Sequence, residues 1–199
     1  MPREAYLANL YLADRALDNA ALIAGCIVEC GTWKGGMAAG LVAIGGPKRD
    51  YHFFDSFGGL PAVTAEDGEA ARRWQANTAG DPEFDNCMAT RAEFLSVMAR
   101  VDLPARQLHV HEGLFSETFP AADVPPIAIL RLDADWYEST LLCLERFWDG
   151  LISGALVLVD DYYTWEGCRR ALHEFLAGRQ ATEAVHESRF GKVAYLIKT

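Results

Sequence analysis

The sequence of 199 residues is 51% hydrophobic and 11% aromatic, enough apolar surface for a substantial core, which excludes a disordered chain. With 28 acidic against 18 basic residues, the formal net charge is -10, which argues against a nucleic-acid groove or an anionic membrane surface, since both need clustered Lys and Arg. A small, non-anionic ligand fits better. The longest apolar runs, such as 154–159, are strand-sized and fall far short of the ~20 residues that cross a bilayer. The N-terminus, MPREAYLANLYLADRAL, carries acids and no continuous apolar stretch, so it reads as a helix, not a secretion signal, and a cytoplasmic location is expected. Cys26, Cys30, Cys87, Cys143 and Cys168 are odd in number and lack C-x-x-C spacing, so buried free thiols are expected.

Apolar runs alternating with helical patterns predict βα units and a mostly parallel sheet. Residues 4–20 form an amphipathic pattern through Tyr6, Leu7, Leu10, Leu12, Ala16 and Leu17. CIVEC (26–30) is the first strand, followed by a glycine-bearing turn and a helix from about Gly35 to Ile44; YHFFD (51–55) is the second strand. Residues 58–106 open on Gly58, Gly59 and Pro61 and stay polar until a helical pattern between about Phe84 and Arg100, which suggests an insertion or lid. LHVHEG (108–113), IAILRLD (127–133) and ALVLVDD (155–161) supply three more strands, with helices from Glu138 to Trp148 and Glu166 to Leu176. The runs 181–187 and 192–198 predict a terminal hairpin, giving seven strands in one domain spanning 1–199.

VECGTWKGG places Glu29 at a strand end, then Gly31, Gly35 and Gly36 before a helix, an arrangement that brings backbone N–H groups toward a ligand. Trp33 stands where the dinucleotide fingerprint G-x-G-x-x-G needs its second glycine, and Met37 stands where the phosphate loop needs lysine. Dinucleotides and nucleoside triphosphates are therefore disfavoured, while a phosphate-free ligand with an amino-acid end and a nucleoside end remains compatible. Asp55, closing the second strand, is suited to accept hydrogen bonds from ribose hydroxyls, although an acid there can also cap a turn.

LRLDADWYEST and LVLVDDYY are apolar strands that end in acids, and in a parallel sheet such ends converge on the ligand-binding edge. If the two strands are neighbours, Asp133, Asp160 and Asp161 lie within a few ångström, where like charges raise one another's pKa unless a cation compensates. Oxygen-only ligation points to a hard ion such as Mg²⁺. Helix or turn capping by Asp135 and Asp161 accounts for part of this pattern only.

In these segments the sequence resembles the macrocin and mycinamicin type of O-methyltransferase, which includes the novobiocin sugar methyltransferase. The matching motifs are VECGTWKGG, FDSFGGLP, GLFSETFP, LRLDADWYEST and LVDDYYTWEGCRRAL, in order from residue 28 to 172. The resemblance implies a Rossmann-like class I methyltransferase fold, S-adenosylmethionine as methyl donor, and Mg²⁺-dependent methylation of a hydroxyl on a sugar or natural product. It further implies Asp133, Asp160 and Asp161 as metal ligands and Asp135 as general base. Glu29 and Gly31 would meet the methionine end, Asp55 and Ser56 the ribose, and the Gly113 to Phe115 region the adenine. A small hydroxyl-bearing substrate and a homo-oligomer are expected, with no nucleic-acid or membrane partner. The lysine base of catechol O-methyltransferases is missing, because the sequence has no Lys between 49 and 191. Family members usually carry a longer region before the first strand, so acceptor identity does not transfer, and 58–106 is expected to supply most of the cover. Two other readings stay open. Asp133-Ala134-Asp135 is a D-x-D of the kind used by metal-dependent glycosyltransferases and by aspartyl phosphatases, and a noncatalytic S-adenosylmethionine-binding protein would keep the same turn.

Overall fold

The computed structural model describes residues 1–77 and 86–199. In chain order its elements are α1 (Arg3–Leu17), β1 (Cys26–Cys30), α2 (Gly36–Gly45), β2 (Tyr51–Asp55), α3 (Gly68–Ala76), α4 (Arg91–Met98), β3 (Leu108–Glu112), α5 (Phe115–Thr118), β4 (Ile127–Leu132), α6 (Tyr137–Phe147), β5 (Leu151–Val159), α7 (Glu166–Gly178), β6 (His186–Glu187) and β7 (Ala194–Ile197). The sheet has seven strands in the order β3-β2-β1-β4-β5-β7-β6. The first five are mutually parallel, β7 runs antiparallel to β5, and β6 antiparallel to β7. This is the class I methyltransferase variant of the Rossmann-like α/β fold.

β1 and β4 are buried along their whole length, as expected of central parallel strands covered on both faces. Phe53 meets Phe94 of α4 on one face, at a centroid distance of 5.5 Å, while Phe54 meets Phe147 of α6 on the other, at 5.4 Å. The chain order reverses between β1 and β4, which leaves a crevice at their carboxyl ends, the place where open α/β sheets bind ligands. Cys26, Cys30, Cys143 and Cys168 are buried free thiols, and Cys87 is half-buried. No helix among the described residues is long and apolar enough to cross a membrane.

Several boundaries differ from the sequence expectations for local reasons. The first helix stops at Leu17, because the Asn19 side chain accepts from the Ala21 amide and starts a separate 3-10 turn. α3 falls in the stretch expected to be irregular. Thr64 and Asp67 form a capping box ahead of it, and Trp74 is one of its few large apolar groups, too few to make a visible period. The next helix begins at Arg91, behind a second capping box between Thr90 and Glu93; the expected start at Phe84 lies outside the described residues. β5 ends at Val159, so Asp160 and Asp161 sit in a following 3-10 turn, and only His186 and Glu187 of the run 181–187 pair as a strand.

Candidate functional site at the carboxyl ends of β1 and β4

The turn after β1 passes very close to the end of β4. The Gly31 amide donates to Phe54 O (2.9 Å) and the Asp133 amide donates to Cys30 O (2.9 Å), so both turns are fastened to neighbouring strands. Gly31 has φ +83°, and a Cβ there would overlap the Asp133 carbonyl oxygen. Glycine is required on both counts. Asp55 stabilises the same turn: its Oδ2 accepts from the amides of Thr32 and Trp33, each at 2.7 Å, and its Oδ1 from the amide of Phe57 at 2.7 Å.

Gly31, Asp55, Ser56, Gly113 and Phe115 all line one cavity of about 580 Å³, which runs on to Asp133, Asp135, Asp160 and Asp161. Glu29 is placed elsewhere. Its side chain is fully buried beneath the crevice, with Oε1 2.7 Å from Arg131 Nη1 and Oε2 without a hydrogen-bond partner. The structure therefore does not bring the Glu29 side chain to the cavity where a methionine-end contact was expected.

The four aspartates divide between two environments. Asp133, Asp135 and Asp161 each offer a carboxylate oxygen within 4.8 Å of the others. Asp160 faces inward, with Oδ1 accepting from Asn9 Nδ2 of α1 (2.8 Å) and Oδ2 3.2 Å from Arg131 Nη2. Asp133 is shared, because its Oδ2 also takes a bond from Arg131 Nη1 at 3.0 Å. The fully buried Arg131 thus holds three carboxylates, and their charges outweigh its desolvation, so its pKa is pushed further up and it stays protonated.

Asp135 has φ +54°, a left-handed backbone that aspartate tolerates better than most residues and that often marks a functional position. Its Oδ1 accepts from the Trp165 indole N–H (2.9 Å), and its own amide donates to Asp161 Oδ2 (3.1 Å). Burial, with the charge of Asp133 next, pushes the Asp135 carboxyl up to about 8, while Asp133 and Asp161 are also raised, burial again being the main cause. An all-oxygen cluster of acids disfavoured as anions is a donor set suited to a hard divalent cation.

Beyond the acids, Trp74, Trp136 and Trp165 form a wall of mutually edge-on indoles, with centroid separations of 6.1, 5.7 and 5.3 Å. The Trp136 N–H donates to Pro61 O (2.9 Å), so the 60–67 segment is fastened over the aspartates, and the Tyr137 amide donates to Asp67 Oδ1 (2.7 Å). Sequence reasoning missed Arg131, Asn9 and this indole wall. A lone arginine inside an otherwise apolar strand was the available signal, since buried charges are paired.

A model of the macrocin O-methyltransferase (TylF) family matches residues 6–195. Over 158 residues the chain is 34% identical to the 8-demethyl-8-(2,3-dimethoxy-alpha-L-rhamnosyl)-tetracenomycin-C 4'-O-methyltransferase of Streptomyces olivaceus, covering 77% of this chain and 58% of that protein. It is 33% identical over 159 residues to the demethyldecarbamoylnovobiocin O-methyltransferase of Streptomyces niveus, covering 78% and 59%. The chain thus spans less than two thirds of the length of these relatives. The solved structure of the O-methyltransferase NovP matches with a TM-score of 0.79 at 25% identity, over 96% of this chain and 80% of that one.

Proposed function

This chain belongs to the macrocin O-methyltransferase family, and we propose that it transfers a methyl group from S-adenosylmethionine to a hydroxyl of a glycosylated natural product with the help of a divalent cation. The observation that carries this reading is the single cavity joining the Gly31, Asp55 and Gly113 turns to the convergent Asp133, Asp135 and Asp161 oxygens. The two relatives are named for methylation of a rhamnosyl-tetracenomycin and of a novobiocin precursor, which supports a natural-product acceptor. When bound, the donor supplies an electrophilic methyl group and the cation, Mg²⁺ in this reading, lowers the cost of negative charge on the acceptor oxygen.

The protein's own groups supply the rest. The Gly31 turn and the Gly113 to Phe115 turn would cradle the donor, with Asp55 and Ser56 beside its ribose. Asp133 and Asp161 are the proposed cation ligands, with Asp160 as the third. Asp135, held by Trp165 and raised toward neutrality by burial, takes the acceptor hydroxyl proton onto its carboxylate. The indole wall and the 60–67 segment keep water from the aspartates.

A second ligand set is favoured by one observation, since the third oxygen already converging with Asp133 and Asp161 belongs to Asp135, not Asp160. Mn²⁺ titration and single-turnover methyl transfer on two variants separate them. Asp160→Asn should weaken Mn²⁺ binding while S-adenosylhomocysteine still binds. Asp135→Asn should keep Mn²⁺ affinity and lose at least about a hundredfold in rate. The reverse pattern would move Asp135 into the ligand set and leave the proton without its assigned acceptor.

A further inference from the structure

Asn9 is a poor helix former set in the middle of α1, and its side chain is fully buried on the face that also buries Ala8 and Ala13. Burying an amide is costly unless its polar atoms find partners, and here they do. Nδ2 donates to Ala5 O (3.0 Å) and to Asp160 Oδ1 (2.8 Å), while Oδ1 accepts from Arg131 Nε at 3.4 Å. The reverse orientation of the amide would set its oxygen against two oxygens and its NH2 against a guanidinium, so the donor end is the one that faces Asp160. The start of α1 is held in place by Gly191, with φ +78°, which comes so near the Glu4 and Ala5 backbone that a Cβ there would overlap it.

Asp160 lines the cavity, although only 14% of its side chain is exposed. Each of its oxygens meets one inner partner, Oδ1 the Asn9 amide and Oδ2 the Arg131 guanidinium, 3.2 Å away. A carboxylate has about four lone-pair sites, so these contacts fix its direction and leave others for a ligand. The two partners differ in what they do to a cation. Arg131 is shared with Glu29 and Asp133, and its positive charge opposes a second cation nearby. Asn9 is neutral and bonds to no other acid, so it orients Asp160 without that repulsion.

Resting on the reading in which Asp160 is a cation ligand, we infer that Asn9 is a positioning residue for the cation site, and that α1 contributes to the affinity of that site through it. Partners that orient a ligating side chain typically account for about 10- to 100-fold in metal affinity.

The test is Mn²⁺ titration of the whole chain, followed by electron paramagnetic resonance, on wild type, Asn9→Leu, Asp160→Asn and the double variant. S-adenosylhomocysteine binding is measured on the same samples by calorimetry, and folding by circular dichroism. Asn9→Leu keeps the shape of the side chain and removes its hydrogen bonds; Asn9→Ala takes its place if Asn9→Leu does not fold. The inference expects the Mn²⁺ Kd to rise at least about tenfold in Asn9→Leu, with the Kd for S-adenosylhomocysteine within about twofold of wild type. It also expects the double variant to bind Mn²⁺ no worse than Asp160→Asn within about twofold, since Asn9 acts through that carboxylate. A purely structural asparagine would lower the melting temperature and leave the Mn²⁺ Kd of the folded chain unchanged. That result overturns the inference, as do losses that add in the double variant or a parallel loss of S-adenosylhomocysteine affinity, and each leaves Asp160 as a ligand if Asp160→Asn alone weakens Mn²⁺ binding. Unchanged Mn²⁺ affinity in Asp160→Asn removes Asp160 from the ligand set, and this inference with it.

Discussion

Replacing Arg131 by methionine removes the one positive charge that Glu29, Asp133 and Asp160 share, in a side chain with no solvent exposure. Glu29 is also fully buried and already has one oxygen without a partner, so it cannot recover by turning to water. Removing one member of a buried ion pair costs about 3–5 kcal/mol, because the remaining charge stays buried. A chain of this size loses about 2–4 °C of midpoint per kcal/mol, so Arg131→Met should melt about 6–20 °C below wild type. Two companion measurements identify the cause. Adding Glu29→Gln to Arg131→Met should recover a large part of the loss, since the worst-placed carboxylate is then neutral. Mn²⁺ should stabilise Arg131→Met more than wild type, because Asp133 and Asp160 are left facing one another without a countercharge. The assay is thermal unfolding by circular dichroism with urea melts as a check. A loss below about 1 kcal/mol, or no recovery on adding Glu29→Gln, would refute the assignment of Arg131 as the internal counter-ion.

Gly31→Ala combines a positive φ with overlap on the Asp133 carbonyl, so it should cost several kcal/mol or displace the β1 turn, seen as a lower urea midpoint and weaker S-adenosylhomocysteine binding; an unchanged midpoint would contradict the close approach. Trp165→Phe keeps an aromatic ring and removes the N–H on Asp135 that favours its carboxylate, so turnover should fall on the order of tenfold and the acidic limb of its pH profile should move upward, with Mn²⁺ binding retained; an unshifted profile would detach Trp165 from the proposed base. His52, packed against His109 and His111, is lowered to about 4 by burial first and by its histidine neighbours second, with Asp50 opposing. Its unfolded value of 6.5 lies above the folded one, so its contribution to stability is full above pH 6.5 and is lost as pH falls toward 4. The urea midpoint of wild type relative to His52→Gln should therefore decline between those limits, and a flat difference would count against a buried neutral imidazole.

The edge of the sheet was legible because its signal is local. Runs of branched aliphatics stop abruptly at Asp133 and Asp160, and glycines follow β1 where a helix must begin, so strand ends and turns are written within a few residues of one another. What the sequence concealed is long-range. Arg131 meets Glu29 from 102 positions away and Asn9 from 122, and the indole wall draws on Trp74, Trp136 and Trp165 from three separate helical segments or their caps. The division of the adjacent pair Asp160 and Asp161 was hidden for a different reason. Both leave β5 in one 3-10 turn, where consecutive side chains point in different directions, so one carboxylate bonds to Arg131 and Asn9 while its neighbour converges with Asp133 and Asp135. Residue type and spacing alone could not assign that split. The physical requirement behind it is that four aspartates at two neighbouring strand ends must be tolerable while the chain folds, before any ligand is bound. Arg131 and Asn9 meet that requirement from below, holding Asp160 and part of Asp133, and they leave Asp135 and Asp161 to the cavity side. The same strand arginine that looks like an interruption in IAILRLD is therefore what permits the acids after it to sit so close together.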